Sequence, residues 1–400
     1  MDPSMKPPAW LNKEYFYHAL SGFNKPQVTI LNYKISPGLG VGQNFCSRVY
    51  KVNVIYREDG QKNKEKNLFI KMPIEEGEIL NVINDARFYE SEVLMYTELF
   101  PTMEKLVGKL DFVVQTYPSK EEYTLIFEDV SKEGYVMGEK EKRLDFKHCK
   151  EALKILAKFH ASTVALNKQS PDLVASVGEP VFKKRDQRSN SFMEEKFEDF
   201  YDIIQTWKGY ERYVNIIKES TEQLWERLEE TFSRRETINV LNHGDFWTHN
   251  ILFKHNTEGE IEKVKLIDYQ MCVYGSIGID IHYFTWTSMQ HTVQANRLPE
   301  LYLIYLKALN QYLREFQCVE RVTEEEFKKE MEFTQFYAIF TMVYNCNVMY
   351  SPKYISPDDE NKSSRDYKKQ LSFKICNGEF FKPNIDQGLK YLEKNGFFRR

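Results

Sequence analysis

The chain has 400 residues, of which 42% are hydrophobic, 28% charged and 14% aromatic. At about 150 residues per domain this length predicts two or three units, and the apolar content excludes a largely disordered chain. The net charge is -4, with acidic and basic residues mixed along the sequence. This balance excludes a broad cationic surface for nucleic acid or anionic lipid.

The cysteines and the N-terminal segment bear on the cellular compartment. The six cysteines are scattered and form no CxxC pair, which predicts reduced thiols. The opening MDPSMKPPAW lacks the basic start and apolar run of a secretory signal, and no apolar stretch approaches the roughly 20 residues that cross a bilayer. We expect a cytoplasmic protein with no membrane span, and no obligate protein partner is evident.

The first 128 residues predict a mostly antiparallel sheet of about five strands with one long helix. Apolar alternation or short apolar runs mark four strands, at Ser47–Tyr56, Asn67–Met72, Leu110–Val114 and Tyr123–Phe127. Helical spacing is found near Lys13–Leu20 and over Val82–Phe100. Lys71 stands at the end of one strand and Glu92 within the apolar stripe of the long helix.

Residues 129–400 predict a second, mainly α domain. Helical periodicity covers four segments, Phe146–Leu166, Phe192–Phe232, Leu301–Phe316 and Glu324–Tyr350. Three short β-like runs interrupt them, at Ile238–Leu241, Ile251–Phe253 and Ile261–Ile267, and the polar stretch Ser351–Lys368 indicates a loop.

The most informative segment is VLNHGDFWTHNILF followed by VKLIDYQ. It places Asp245 and Asn250 on a loop and Asp268 at the end of the next hairpin. Phosphoryl transfer from ATP requires an oriented acceptor hydroxyl and magnesium to neutralise phosphate charge. In such a site Asp245 is the expected catalytic base, and Asn250 and Asp268 are the expected oxygen ligands of magnesium.

HGDxxxxN with a later strand-end Asp resembles the aminoglycoside and choline kinase superfamily, and HGDFWTHN, GQNFCSRVY and LIFEDV together resemble the ecdysteroid kinase-like family of small-molecule kinases. The resemblance implies an α+β, bilobal protein-kinase-like fold. Residues 1–128 would form an N-terminal nucleotide-binding lobe with an antiparallel sheet and one long helix. Residues 129–400 would form a larger, mainly α C-terminal lobe for catalysis and acceptor binding. The implied activity is ATP- and magnesium-dependent phosphorylation of a hydroxyl on an ecdysteroid-like, other steroid-like or xenobiotic small molecule.

The same resemblance implies roles for individual residues. Lys71 would contact the α- and β-phosphates of ATP, with Glu92, or alternatively Glu90, holding it. Backbone groups of a hinge at Glu128 and Val130 would bond the adenine edge. Phosphate-binding residues are expected in a glycine-rich turn that lacks the full GxGxxG pattern, at Gly40, Gly42, Asn44, Phe45 and Ser47.

Further residues surround the catalytic motif. His243 would orient the loop and Asp280 would brace it. Tyr269 and Gln270 follow Asp268 in place of the Phe-Gly of protein kinases, and no APE-like segment follows, which argues against a protein substrate. An aromatic acceptor pocket is expected from side chains close to the loop in sequence, Trp247, Tyr283, Phe284 and Trp286.

Alternatives remain open on the sequence alone. A choline or amino-alcohol kinase would share the motif. A metal-dependent phosphohydrolase would use His243, Asp245, His249 and Asp268 and would not require Lys71 or Glu92. A kinase-fold binding protein without catalysis is a third alternative. A zinc cluster of His243, His249 and His255 fits no common spacing, and His160 has the helical spacing of a packed core residue.

Overall fold

The computed structural model describes residues 6–21, 28–38, 46–75, 80–183, 187–350 and 364–397. The chain divides into two compact units. The first unit comprises Met1–Glu104, Lys109–Val136 and Leu252–Gln270, and the second comprises Lys105–Gly108, Met137–Ile251 and Met271–Arg400. The predicted division at residue 128 differs from this one, because the first unit extends to Val136 and also takes in a segment from far downstream.

An antiparallel five-stranded sheet in the order β1-β2-β3-β5-β4 belongs to the first unit. Its strands are β1 (Val28–Pro37), β2 (Ser47–Glu58), β3 (Lys64–Pro73), β4 (Thr116–Tyr117) and β5 (Leu125–Glu128). On β2, Tyr50, Val52 and Val54 are buried while Lys51 and Asn53 are partly exposed, so the predicted alternation is confirmed. β1 was not predicted because it is an edge strand whose side chains are mostly exposed.

The helices of this part of the chain are shorter than expected. They are α1 (Lys13–Ser21), α2 (Leu80–Asp85), α3 (Phe88–Leu94) and α4 (Phe100–Val107). The predicted helix Val82–Phe100 is broken at Arg87, whose φ is 55°, and contains a π-helical turn at Met95–Leu99. Phe88, Met95 and Leu99 are buried, so the apolar stripe was correctly identified although the helix is not continuous.

A second sheet of the first unit has three strands in the order β6-β8-β9. They are β6 (Tyr135–Met137), β8 (Ile251–His255) and β9 (Ile261–Leu266). The predicted strand Leu110–Val114 is wrong: Val113 makes only a single bridge with Leu266, whose N–H donates to the Phe112 carbonyl at 2.9 Å. The alternation there reflects packing beside β9 rather than membership of the five-stranded sheet.

The second unit is mainly helical, with one two-stranded antiparallel ladder formed by β7 (Val240–Asn242) and β10 (Val273–Gly275). Its helices before residue 300 are α5 (Phe146–Gln169), α6 (Pro171–Val177), α7 (Gln187–Ile204), α8 (Glu211–Glu222), α9 (Leu224–Thr231), α10 (Gly278–Ser288) and the start of α11 (His291–Glu315). The later helices are α12 (Glu324–Phe333), α13 (Gln335–Phe340), α14 (Cys346–Tyr350), α15 (Arg365–Cys376) and α16 (Phe381–Lys394). A π-helical turn at Thr341–Asn345 joins α13 to α14.

Two features of this unit differ from the sequence prediction. Helices α15 and α16 were not predicted. Most of the predicted loop Ser351–Lys368 lies outside the described residues, but its last residues belong to α15, which Ser364 caps by accepting a hydrogen bond from the Tyr367 N–H. The predicted α+β fold, an antiparallel sheet followed by a mainly helical part, is confirmed.

The core of the second unit is built around α10. All eleven residues of this helix are buried; Tyr283 stacks on Tyr337 of α13, and Trp286 packs edge-on against Tyr391 of α16. A helix buried on every side cannot be amphipathic, which explains why its periodicity is weak. Among the described residues, no helix combines the length and the apolar character needed to span a membrane.

Burial of His282 on α10 predicts acid sensitivity. Desolvation lowers the pKa of His282 to about 4, although the ring bonds the Met331 carbonyl at 3.0 Å. A histidine with a depressed folded-state pKa takes up its proton more readily when unfolded, so its stabilisation is present above about pH 6.5 and lost as pH falls toward 4. We expect the free energy of unfolding to fall by about 1.4 kcal/mol per pH unit from this group. Urea titrations at pH 6.5 and 5.0 measure how the free energy of unfolding changes with pH. His282→Gln should reduce this pH dependence by the equivalent of one proton taken up on unfolding. An unchanged pH dependence in the variant would contradict the role given to His282.

Candidate active site

In the first unit, one lysine lies between two carboxylates. The Lys71 Nζ is 2.6 Å from Glu92 Oε2 and 2.6 Å from Asp268 Oδ1. Burial alone would lower the pKa of Lys71, but the charges of Asp268 and Glu92 outweigh it and raise the pKa. Glu90 instead pairs with Arg87, so Glu92 is the partner of Lys71.

Glu92 is held in an unusual electrostatic environment. Its side chain is buried, and burial raises its pKa, with Lys71 opposing the change and Asp268 adding to it. A buried carboxylate is tolerated when a cation compensates it. Lys71 at the strand end and Glu92 in the helix therefore neutralise each other's charge, as predicted from their positions in the sequence.

Asp268 adopts a backbone conformation that few residues other than glycine occupy. Its φ is 70°, and aspartate is among the residues that tolerate the left-handed region. The next residue, Tyr269, is fully buried and packs edge-on against Phe100, with ring centroids 4.8 Å apart, and against Tyr96 at 5.9 Å. The anchored ring fixes the chain immediately after Asp268 and keeps its carboxylate at Lys71.

Of the residues predicted for the phosphate-binding turn, Ser47 is the one that lies within the described part of the chain. Gly40, Gly42, Asn44 and Phe45 lie outside the described residues. Ser47 is buried at the start of β2, and its hydroxyl has no hydrogen-bond partner within the described part of the chain.

The predicted hinge follows β5. Two N–H groups here are already bonded within the first unit: Glu128 donates to Gln115 at 2.9 Å and Asp129 donates to Asn67 at 2.9 Å. The Glu128 carboxylate pairs with Lys66 at 2.7 Å, so the side chain has a structural partner. The role of Glu128 and Val130 in adenine binding stays a prediction that rests on their backbone groups.

In the second unit, the loop after β7 carries Asp245 and Asn250. The Asn250 amide donates to Asp245 twice, to the backbone carbonyl at 2.9 Å and to Oδ2 at 2.8 Å. The Tyr283 hydroxyl donates to the other carboxylate oxygen, Oδ1, at 2.5 Å. Asp245 itself is partly exposed. Its side chain is therefore oriented by two donors while remaining accessible.

Asp280, on α10, braces the backbone of the same loop. Its carboxylate accepts the N–H of His243 at 2.6 Å and that of Gly244 at 2.9 Å. The His243 ring is buried and its Nδ1 accepts the Asp245 N–H at 3.4 Å. The roles of His243 in orienting the loop for catalysis and of Asp280 in bracing it stay predictions.

The glycine of the motif is required by its surroundings. Gly244 has a φ of 77°, and a Cβ at this position would lie 1.8 Å from the Met271 carbonyl oxygen. No other residue type fits without displacing the backbone. Asp245 is thus presented from a turn that only glycine permits.

The predicted aromatic pocket is only partly supported. Phe284 and Trp286 are completely buried in the core of the second unit, because every side of α10 is packed. Tyr283 is also buried and bonds Asp245. Trp247 is partly exposed and packs against the core, with its ring centroid 4.5 Å from that of His249. Its contact with an acceptor stays a prediction.

Asn250 and Asp268 each offer an oxygen of the kind that a hard divalent cation prefers. Because the Asn250 amide nitrogen is committed to Asp245, the side-chain oxygen is the atom left to bind a metal. Asp268 is partly exposed and supplies carboxylate oxygen. Carboxylate and amide oxygens are the ligands that magnesium prefers. Among the residues described, no group of three or more His, Cys, Asp and Glu side chains could hold a metal ion.

Sequence reasoning missed two contacts in this region. His160, expected to be a core residue, is fully buried, but its Nε2 lies 3.0 Å from Asp280 Oδ2 and its Nδ1 lies 2.7 Å from the Tyr305 hydroxyl. The Tyr283–Asp245 bond was not anticipated either. The spacing of Asp280 and Tyr283 by three residues, which puts both on one face of a helix, is the signal that was available.

The comparisons with known proteins agree with this chemistry. A sequence profile described as "Ecdysteroid kinase-like family" matches residues 41–318, well over half of the chain. The protein is thus a small-molecule phosphotransferase. Within that class, the chain belongs to the ecdysteroid kinase-like family. A search of curated proteins gave no significant match.

Several solved structures are similar to this one at low sequence identity. The Plasmodium vivax ethanolamine kinase is 13% identical over 92% of this chain and 83% of its own, with a TM-score of 0.41. A choline/ethanolamine kinase family protein from Mesorhizobium loti is 10% identical over 89% of this chain and 92% of its own, with a TM-score of 0.38. The aminoglycoside phosphotransferase APH(3'')-Id from Streptomyces rimosus, in complex with ADP and streptomycin, is 11% identical over 72% and 90%, with a TM-score of 0.32. Because these TM-scores are below 0.5, the likenesses carry no argument about the acceptor or the catalytic residues.

Proposed function

We propose that the protein transfers the γ-phosphoryl group of magnesium-ATP to a hydroxyl of an apolar small molecule. The observation that carries this proposal is the Lys71 ammonium at 2.6 Å from both Glu92 and Asp268. In this arrangement the Lys71 ammonium can bind phosphate oxygens, and the adjacent Asp268 carboxylate is a suitable ligand for magnesium. A metal-dependent phosphohydrolase has no need of this lysine and its glutamate partner.

Each residue of the site has a distinct role in the proposed reaction. Lys71 binds the α- and β-phosphates, and Glu92 keeps its ammonium in place. Asp268 and Asn250 would supply the oxygen ligands of magnesium, which would neutralise phosphate charge when bound. Asp245 accepts the proton of the acceptor hydroxyl, and its partly exposed position leaves it accessible. His243, Gly244 and Asp280 keep that carboxylate in position.

The family match favours a neutral, largely apolar acceptor, such as a steroid-like or xenobiotic hydroxyl compound. A stacked set of aromatic rings lies beside Asp245 in the second unit. From Tyr283 it continues through Tyr337 at 6.4 Å, Phe340 at 5.6 Å and Tyr344 at 5.1 Å between successive ring centroids. Its outer end is the partly exposed Tyr344 ring, which Phe192, 39% exposed, meets edge-on at 6.0 Å. The inner rings are buried core residues, so we assign the body of the acceptor to Trp247, which is partly exposed and lies two residues after Asp245.

A direct test is to incubate the protein with magnesium, ATP and two matched panels, neutral polycyclic alcohols and amino alcohols, and to search by mass for products heavier by one phosphate. We expect products from the neutral panel. Products from the amino-alcohol panel alone would contradict the acceptor class but support the kinase chemistry. Hydrolysis of ATP without a phosphorylated product from either panel or from a metabolite extract would contradict the proposed function.

A further inference from the structure

Both carboxylate oxygens of Asp245 accept a hydrogen bond, and the two donors differ in kind. Oδ2 accepts from the Asn250 amide at 2.8 Å, and Asn250 is itself a proposed magnesium ligand. Oδ1 accepts from the Tyr283 hydroxyl at 2.5 Å. A short bond between a hydroxyl and a carboxylate is among the stronger hydrogen bonds in proteins. The tyrosine is therefore well placed to set the orientation of the carboxylate.

The helix that carries Tyr283 also holds the backbone of the loop. Asp280 and Tyr283 lie three residues apart on α10, and so on one face. Asp280 binds the N–H groups of His243 and Gly244, while Tyr283 binds the side chain of the next residue. Because every residue of α10 is buried, the two contacts come from one immobilised element.

The tyrosine is fixed as a donor. Its ring lies nearly parallel to that of Tyr337, with an interplanar angle of 25°, which limits its rotation. Burial raises the pKa of Tyr283 far above its usual range, and the negative charge of Asp245 raises it further. The phenol thus keeps its proton whenever the carboxylate is ionised and donates to it throughout.

We infer that Tyr283 is a positioning residue for the catalytic carboxylate, an inference that rests on the proposed function. Its hydroxyl selects one orientation of the Asp245 side chain, together with Asn250. Tyr283 is thereby part of the catalytic arrangement and not of the acceptor-binding wall.

Tyr283→Phe tests this inference. Losing one hydrogen bond to a charged group should lower kcat by on the order of 10- to 100-fold, with KM for ATP and the dissociation constant of magnesium-ATP within about twofold of wild type. Tyr302→Phe is the matched control, because Tyr302 is also buried and its hydroxyl lies 3.2 Å from Thr285 on the same helix. The control should keep wild-type kcat, and thermal unfolding should shift comparably in both variants.

A second comparison separates positioning from a general loss of structure. In an Asp245→Asn background, adding Tyr283→Phe should cause no further loss of the residual activity, because the tyrosine acts through the carboxylate. Equal kcat for wild type and Tyr283→Phe, or full additivity of the two changes, would overturn the inference while leaving the proposed function intact. A wild-type protein that transfers phosphate to no acceptor would overturn the proposed function and the inference with it.

Discussion

Replacing Asp245 by asparagine is expected to lower kcat for acceptor phosphorylation by on the order of 10³-fold, while magnesium-ATP still binds. The amide keeps the size of the side chain and can accept a hydrogen bond from Tyr283, but it cannot take up the acceptor proton. When the amide oxygen accepts from Tyr283, the amide nitrogen faces the Asn250 donor, so the hydrogen bond at 2.8 Å is lost. Single-turnover assays with saturating nucleotide and isothermal titration of magnesium-ATP measure the two parts of the prediction.

Asp202→Asn provides the control for Asp245→Asn. Asp202 also lies in the second unit but is about half exposed and pairs with Lys369 at 2.6 Å. Exposed ion pairs contribute little to stability, so this variant should match wild type in both assays. Wild-type turnover in Asp245→Asn, measured with an acceptor that the native protein phosphorylates, would contradict the assignment of the base.

Replacing Lys71 by methionine should have the second large effect. Methionine keeps much of the apolar stem but leaves the buried Glu92 and the partly exposed Asp268 without their shared cation. Breaking a buried ion pair costs about 3–5 kcal/mol, and we expect a loss of stability of that order. The affinity for magnesium-ATP should fall as well, since the ammonium that binds the phosphates is gone. Chemical denaturation and titration calorimetry measure these two quantities.

A double variant distinguishes the structural and functional roles of Lys71. Adding Glu92→Gln to Lys71→Met removes one of the stranded carboxylates, so part of the stability should return while nucleotide affinity stays low. Lys64→Met is the matched control: Lys64 is on the same strand and pairs with Glu58 at 2.8 Å, but it is exposed. Restored nucleotide affinity in the double variant would show that Lys71 serves only to neutralise Glu92.

Much of the site was predictable because its residues lie in strong local patterns. Asp245, Asn250 and Asp268 come directly after or between short strands, and strand ends expose side chains. Lys71 and Glu92 are charged residues within apolar runs, and their mutual contact is expected from the cost of burying either one alone. Such conflicts between a residue and its local pattern are visible without coordinates.

The parts that were missed depend on contacts distant in sequence. Phe284 and Trp286 are near the loop along the chain, but α10 is packed on all sides, so nearness in sequence did not mean access to a ligand. The Tyr283–Asp245 bond joins residues 38 positions apart. The apolar alternation at Leu110–Val114 is equally compatible with a strand and with a loop packed on a neighbouring strand. Only the tertiary structure distinguishes these two possibilities.

The composition of the first unit has a consequence for its synthesis. Its final segment, Leu252–Gln270, is encoded after all of the helices α5–α9 and supplies β9, most of β8 and Asp268. A nascent chain that has just left the ribosome up to Val136 therefore lacks strands of that unit and the carboxylate that pairs with Lys71. Domains commonly fold in order of synthesis, but here the N-terminal part has to wait for 134 more residues before it is complete. Expression of a fragment ending at Val136 should yield aggregation-prone material, and permutants that bring 252–270 next to it are the more promising route to an isolated nucleotide-binding module.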